Sequence, residues 1–448
     1  MIFGFLKHLR RQSKGESQKN RVLIYKNEHS IDPGKISIAA NKAIKGLQEK
    51  GYRAFIVGGA VRDLLLGLTP KDFDIATNAT PEEIKEIFRR SKIIGRRFRL
   101  VHVYFSREVL EISTFRATVS TNRNSMFLRD TTGRIIRDNI FGTQEEDALR
   151  RDFTVNAMFY SPDEEVLIDY SNGYRDLVAK KLKIIGKPDT RFREDPIRIL
   201  RAVRFSTQLG LSIDKLSLKS MRLQKNLLLN VPSSRLFEET LKVLLCGEAV
   251  KALSEPESYE FLGLLLPEIK GAMSKTGNKE FLLNALNKTD ERVANNQPNS
   301  PAFVLAAIFW HEILSRWQKE ELTGKKPFSA IVSAIDEFIN KRSRSSILEV
   351  PKRFELDMRN IWLMQAKFQK TAGRQSYALL RTNRFRAGYD FMLLRADVGQ
   401  LDTKIANWWQ VFLRNNGDEK KTISRHQLGS FPGKGYKKRF NMHRSEEG

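Results

Sequence analysis

Apolar residues recur at helical spacing from Ile36 to Lys50, and Gly51 follows, so the pattern predicts a helix that stops there. Between residues 54 and 117 the pattern alternates between strand-like and helical. Ala54–Gly59 is a short apolar run ending in two glycines, Val61–Leu66 continues as a helix closed by Gly67, and Asp72–Ala76 reads as a strand. Thr80-Pro81-Glu82-Glu83 has the form of a capping box with proline at the first helical position, opening a helix through Arg90. Lys92–Phe105 and Glu108–Phe115 read as two more strands, and the polar stretch 118–140 as a long loop. Beyond Ile184 strand patterns nearly vanish. Pro196–Leu209, Ser233–Leu245, Ala302–Leu314, Ile331–Asn340, Met358–Phe368 and Phe385–Trp409 all carry helical periodicity. No repeated βαβ unit and no internal repeat is seen, so the expected class is α+β: a mixed-sheet head followed by a long all-α remainder.

Composition adds a partner to this picture. The 448 residues include 78 Lys and Arg against 52 Asp and Glu, a formal charge of +26. Such an excess suits a polyanion, because basic surfaces bind phosphates by releasing counterions. The single cysteine, Cys246, excludes an intramolecular disulfide framework, and the six scattered histidines show no close pair at metal-ligand spacing. The apolar stretch Met1–Leu6 is too short for a signal-peptide core or a membrane span, so a cytoplasmic protein is expected. Residues 1–30 read as a flexible basic arm and residues 413–448 as a basic tail containing Lys434, Lys437, Lys438, Arg439 and Arg444.

The candidate chemistry lies in the head. Gly58-Gly59, between a strand and a helix, lets backbone N–H groups approach a phosphate; a tight structural turn would use the same pair. Asp72 and Asp74 sit two apart, so a strand would turn both carboxylates to one face while Phe73 and Ile75 face the other way. Oxygen ligands of this kind suit Mg²⁺ bound together with substrate phosphates, although a solvated strand face is the alternative. Glu111 adds a third carboxylate in the middle of an apolar strand, where an acid is unfavourable unless it is needed. Three carboxylates on neighbouring strands can frame two metal ions that align a hydroxyl with an α-phosphate. Asp72, Asp74 and Glu111 are therefore the candidate catalytic residues, with Asp72 and Asp74 as metal ligands. Arg96, Arg97 and Arg99 are too dense for an ordinary strand face and are expected to meet triphosphate or RNA. His102 alternates with Val101 and Val103 and reads as structural. Trp310, Trp362, Trp408 and Trp409 read as core, with one of the last pair turned outward.

At this point a resemblance becomes specific. Phe55–Asp63 followed by Asp72-Phe73-Asp74 resembles the head-domain signature of class II nucleotidyltransferases, in the DNA-polymerase-beta-like superfamily. Glu145–Ala157, Asp169–Leu177, Arg193–Phe205 and Arg235–Lys242 resemble that family's four further motifs, in order. Gly95–Val103, Asn299–Trp310, Pro351–Arg353, Arg384–Asp390 and Trp408-Trp409 are similar to the poly(A) polymerase I branch, so the resemblance covers roughly residues 29–412. It implies a polymerase-beta-like head at 31–182, a helical neck at 183–250 binding nucleotide and RNA, and a helical body and legs at 251–412 binding RNA. It further implies template-independent transfer of AMP from ATP to RNA 3′ ends with two Mg²⁺ ions. Asp195 and Arg198 would read the adenine edge, although ion pairing between neck and head would employ the same two residues. Gly58, Gly59, Arg62, Arg151, Asp152 and Asn156 would surround the nucleotide, or brace its pocket. The tail residues Lys437, Lys438 and Arg439 match the family's arginine-rich C-terminus in composition only and are expected to bind RNA. Further implied partners are RNA-degradation or RNA-chaperone proteins, with the chain acting as a monomer. Two alternatives remain at this stage: a tRNA CCA-adding or A-adding enzyme with the same head, and a catalytically silent RNA-binding protein, against which the three carboxylates argue.

Overall fold

The computed structural model describes residues 21–95, 99–106, 108–117, 141–371 and 374–415, and the chain forms two compact units. Among the described residues, the first comprises those from 21 to 243 with 255–261; the second comprises 244–254 and those from 262 to 415.

The first unit is built on an eight-stranded mixed sheet. Its strands are β1 (Val22–Ile24), β2 (Ala54–Val57), β3 (Asp74–Thr77), β4 (Ser91–Ile94), β5 (Leu100–Phe105), β6 (Glu108–Thr114), β7 (Phe159–Ser161) and β8 (Val166–Asp169). They run in the order β1-β8-β7-β2-β3-β6-β5-β4, with β3 and β6 parallel and every other neighbouring pair antiparallel. Three helices flank the early strands: α1 (Ile38–Gln48), α2 (Gly59–Leu65) and α3 (Pro81–Ile87). Ile56, Ile75, Ile112 and Val101 form one cross-strand row on the face that α1 covers with Ala40, Ala43, Ile44 and Leu47. Phe55, Val57, Ala76, Phe115, Phe159 and Ile168 form a second core on the opposite face, closed by Ala148.

Several boundaries follow the sequence pattern. Gly51 and Gly67, with φ of +85° and +73°, terminate α1 and α2 in a conformation that costs a glycine little. Both reciprocal hydrogen bonds of the Thr80–Glu83 capping box form at the start of α3.

Other boundaries differ, each for a physical reason. The strand predicted at Asp72–Ala76 begins only at Asp74, because its partner strand ends at Val57 and the chain turns away at Gly58. Helix α3 stops at Ile87 and not at Arg90: Phe88 leaves the helix and turns its ring toward Phe105. The single strand predicted over Lys92–Phe105 is the pair β4 and β5, parted by Gly95 with φ +86°. Val22–Ile24, read as part of a flexible arm, pair with β8 at the sheet edge. The long loop expected at 118–140 lies outside the described residues.

The first unit continues with α4 (Gln144–Arg150), α5 (Gly173–Val178), α6 (Pro188–Glu194), α7 (Arg198–Leu209), α8 (Lys215–Gln224) and α9, which starts at Ser233 and runs to Leu244. A two-stranded parallel pair, β9 (Lys181–Leu182) with β10 (Ser212–Ile213), joins these helices.

The second unit is helical, with long helices at Thr276–Ala294, Pro301–Leu322, Pro327–Ser345 and Lys352–Phe368. The helix predicted over Phe385–Trp409 is two helices, Phe385–Asp397 and Thr403–Asn415, separated at Gly399 (φ +72°). Trp310, Trp362 and Trp409 are fully buried core residues, and each indole N–H is satisfied, by Gln400 Oε1 at 2.8 Å, the Ala306 carbonyl at 3.2 Å and the Phe368 carbonyl at 2.9 Å. Trp408 is the outward member of its pair and stacks on Phe412. Among the described residues no helix is long and apolar enough to cross a membrane.

Candidate active site

The carboxylates come together through strand register. Asp74 ends the β2 ladder opposite Val57, and on its other side it is the direct partner of Glu111 in the parallel β3–β6 pair. Direct partners project to the same face, so the two acids stand side by side on the surface beyond the Phe55–Phe159 core. Asp72 lies just before the strand and adds a third negative charge. Asp74 stays accessible to solvent, yet its setting among protein atoms raises its carboxyl to about 6. Desolvation is the main cause; Glu111 and Asp72 add to it, and Arg151 opposes it. A carboxyl held so high among like charges is one that a cation would relieve.

The glycine turn closes the other side. Gly58 has φ +72° and ψ −135°, a conformation outside the reach of most L residues, and α2 starts immediately after it. A Cβ at Gly58 would lie 3.3 Å from Arg151 Nη1 and 3.8 Å from Asp74 Oδ2, so the missing side chain is what lets these two groups approach. Arg151 follows α4 and is aimed by Asp147, whose Oδ2 accepts from Nη2 at 2.8 Å, while the guanidinium lies over the Phe159 ring. Asp147 was not singled out from sequence. Its signal was the i, i+4 spacing to Arg151.

Behind this edge lies a buried polar network. Asp152 Oδ1 accepts from the Phe153 N–H at 2.8 Å and from Asn156 Nδ2 at 3.3 Å, and Oδ2 accepts from Arg201 Nε at 2.8 Å. Burial disfavours the Asp152 charge, but Arg201 and these hydrogen bonds hold its carboxyl below the usual range. Arg62 donates to Asn156 Oδ1 at 2.7 Å and to Asp63, and both Arg62 and Asn156 are buried. As they stand, these two residues face one another and Asp152. The rings of Phe205 and Phe153 meet edge to face, and the guanidinium groups of Arg62, Arg201 and Arg204 lie around Phe205.

The fourth motif is not one continuous helix. Pro196 cannot donate an N–H and forces Asp195 into an extended conformation, so α6 ends at Glu194 and α7 restarts at Arg198. Glu194 and Arg198 still meet across the break, while Arg201 pairs with Asp152. Asp195 does not cap α7 with its side chain; the carboxylate is held by Arg235 of α9. Arg198 donates to the Arg191 carbonyl at 2.7 Å and to Glu194 at 3.3 Å. Asp195 and Arg198 thus flank the break, each with its own partner.

Among the arginines expected to meet RNA, Arg99 pairs with Glu82 at the start of α3. Arg96, Arg97, Lys437, Lys438 and Arg439 lie outside the described residues. His102 is the cross-strand partner of Glu111, with Nε2 3.3 Å from Oε1, a link that alternation alone did not reveal.

Asp72, Asp74 and Glu111 supply only hard oxygen ligands, and the raised carboxyl of Asp74 marks a place where positive charge is favourable. Among the described residues no three such side chains enclose an ion by themselves. The set fits a metal whose remaining ligands come from phosphate and water.

A mixed head sheet with a glycine turn and carboxylates on adjoining strands defines a nucleotidyltransferase. Residues 54–183 match the "Poly A polymerase head domain", residues 210–273 the "Probable RNA and SrmB- binding site of polymerase A", and residues 323–445 the "Polymerase A arginine-rich C-terminus". The chain is 37% identical over 430 residues to poly(A) polymerase I of Haemophilus influenzae, covering 94% of each protein. It belongs to the bacterial poly(A) polymerase I family. The CCA-adding enzyme of Bacillus subtilis is 36% identical over 231 residues, only 51% of this chain. The solved CCA-adding enzyme of Bacillus stearothermophilus, in complex with CTP, superposes with a TM-score of 0.56 at 23% identity, covering 87% of this chain and 88% of that one, which shows a shared fold. The family is one of nucleotidyltransferases that use ATP and divalent metals.

Proposed function

We propose that this chain transfers AMP from ATP to the 3′-hydroxyl of RNA without a template. The 3′ oxygen forms a bond to the α-phosphorus as the bond to the departing pyrophosphate breaks, and the hydroxyl proton passes to water. The observation that carries the reading is the pairing of Asp74 with Glu111 on parallel strands, with the Asp74 carboxyl raised to about 6. Asp72 and Asp74 would hold Mg²⁺, which when bound neutralises phosphate charge and orients the 3′ oxygen. Glu111 would complete the acidic frame. Arg151, beside the Gly58-Gly59 turn, is suited to the triphosphate, and Asp152, with Arg62 and Asn156 bracing it, to the ribose side of the nucleotide. Asp195 and Arg198 would read the base edge. Arg99 with Arg96 and Arg97, and the tail residues Lys437, Lys438 and Arg439, would hold RNA phosphates, giving affinity with little sequence preference. Such an enzyme would act as a monomer in the cytoplasm, where RNA-degradation or RNA-chaperone proteins would share its substrate.

Alignment to poly(A) polymerase I over nearly the whole chain, against half of it for a CCA-adding relative, favours ATP as the nucleotide. The test is Asp74→Asn, with Asp72→Asn beside it. Extension of an RNA primer with ATP should fall by about two to three orders of magnitude, while RNA binding is kept. Near-normal extension by either variant would remove the carboxylates from the reaction.

A further inference from the structure

Among the described residues, the sheet face that carries Asp74 and Glu111 is covered on one half only. Over β8, β7, β2 and β3 it is sealed by Phe115 and Ala148. Over β6, β5 and β4 the helices that pack closely among the described residues, α1 and α3, lie on the opposite side, where Val101, Val103, Leu110 and Ile112 are buried. Among the described residues, the site side of these three strands therefore presents an open floor that begins at the catalytic carboxylates.

The floor has a definite chemistry. Asp74, Glu111, His102 and Lys92 are successive partners across β3, β6, β5 and β4, and so form one row. It runs from the acidic site to a solvent-exposed lysine about 14 Å away at the usual strand spacing. Tyr104 lies two residues beyond His102 on the same face of β5, directly opposite Val109, and is 43% exposed. Leu100 and Val109 on this face are half-buried. An exposed aromatic ring beside short apolar side chains, with a cation at the far edge, is the surface on which an unpaired base stacks while its phosphate meets the lysine.

We propose that this open floor seats the 3′-terminal nucleotides of the RNA, with the terminal base on Tyr104 and Val109 and a phosphate on Lys92. The inference rests on the adenylyl-transfer reading, because it is the attacking 3′-hydroxyl that must end beside Asp74. Two features favour RNA over a protein strand here. The face is continuous with the carboxylates, and its polarity changes from acidic at the reaction centre to basic at the edge, as a strand anchored by phosphate and reacting at its end requires. His102 stands on this floor with Nε2 3.3 Å from Glu111 Oε1.

Two measurements test the seat. The first is the KM for a short oligo(A) primer and for ATP, in the wild type, Tyr104→Ala, Tyr104→Trp and the double variant Tyr104→Ala/Lys92→Ala. The expected result is a primer KM raised at least about fivefold by Tyr104→Ala, further by the double variant, and recovered by Tyr104→Trp, with the ATP KM within about twofold of wild type. A primer KM unchanged in the double variant, or an ATP KM that rises in step, would overturn the seat. The second is photocrosslinking of a primer carrying 4-thiouridine at its 3′ end to the full-length protein, which needs no turnover. Crosslinks within 92–109 support the seat even if the wild type adds no AMP, in which case the transfer reading alone would fall. Crosslinks confined to other segments, or labelling of Tyr104 by an azido-ATP in place of RNA, would overturn it.

Discussion

Arg235 grips Asp195 with both ends of its guanidinium, Nη1 to Oδ1 at 2.9 Å and Nη2 to Oδ2 at 2.7 Å, across forty residues of sequence. A two-point hold of this kind fixes a carboxylate's plane as well as its position. It also explains why Asp195 can stay extended beside Pro196 without capping the next helix. The residue expected to read a base is thereby presented in one orientation, next to an Arg198 that is itself tied to the Arg191 carbonyl and Glu194.

Base selection should depend on this pair. Asp195→Ala and Arg198→Ala are each expected to lower the preference for ATP over GTP and UTP by about 1–3 kcal/mol, the usual worth of a bidentate base contact. Competition between NTPs in single-nucleotide extension measures it. A preference equal to wild type in both variants would move base reading elsewhere.

The raised carboxyl of Asp74 makes cation binding pH-dependent in a stated direction. In the metal-free protein Asp74 ionises near 3.8 when unfolded and about 6 when folded, so its contribution to stability falls as pH rises through that window and is constant above it. A divalent cation binds the ionised form, so below pH 6 it must displace a proton. Stabilisation by Mg²⁺, read as a shift in Tm, is therefore expected to be clear at pH 7.5 and largely lost at pH 5. The Asp74→Asn variant should show little shift at either pH. An equal Mg²⁺ shift at both pH values in the wild type would contradict the assignment of Asp74 as a ligand.

Gly173 should tolerate no side chain. A Cβ there would lie 2.1 Å from the Thr154 carbonyl oxygen and 3.2 Å from Met158 Cγ. The Thr154–Asn156 turn it would displace carries Asn156 and follows Asp152. Gly173→Ala is expected to cost about 1–3 kcal/mol, and more if the turn cannot shift. Thermal unfolding measures this, and a Tm within a degree of wild type would show that the contact relaxes freely.

Local signals made much of the head legible. The glycines at 51 and 67 and the Thr80–Glu83 box each act within a few residues, and each appears in the fold as its chemistry dictates. What escaped was set by partners far away in sequence. The start of β3 at Asp74 depends on Gly58 turning out of the neighbouring strand, and the end of α3 depends on Phe88 reaching Phe105. In the site, Asp74 and Glu111 could be named from sequence because an acid in an apolar strand is conspicuous. The Asp195–Arg235 and Asp152–Arg201 pairs could not, since charged residues are common in both helices and only tertiary packing matches them. His102 looked like a structural histidine because alternation reports which face a residue takes and not which neighbour it meets.

The most direct test of adenylyl transfer to general RNA ends uses purified full-length protein, Mg²⁺ and one NTP at a time, on two acceptors: an unstructured RNA and a tRNA lacking its terminal CCA. The expected result is extension of both acceptors by many residues with ATP alone, and little with CTP, GTP or UTP. Addition of two C residues and one A confined to the tRNA, with no growth on the unstructured RNA, would contradict it.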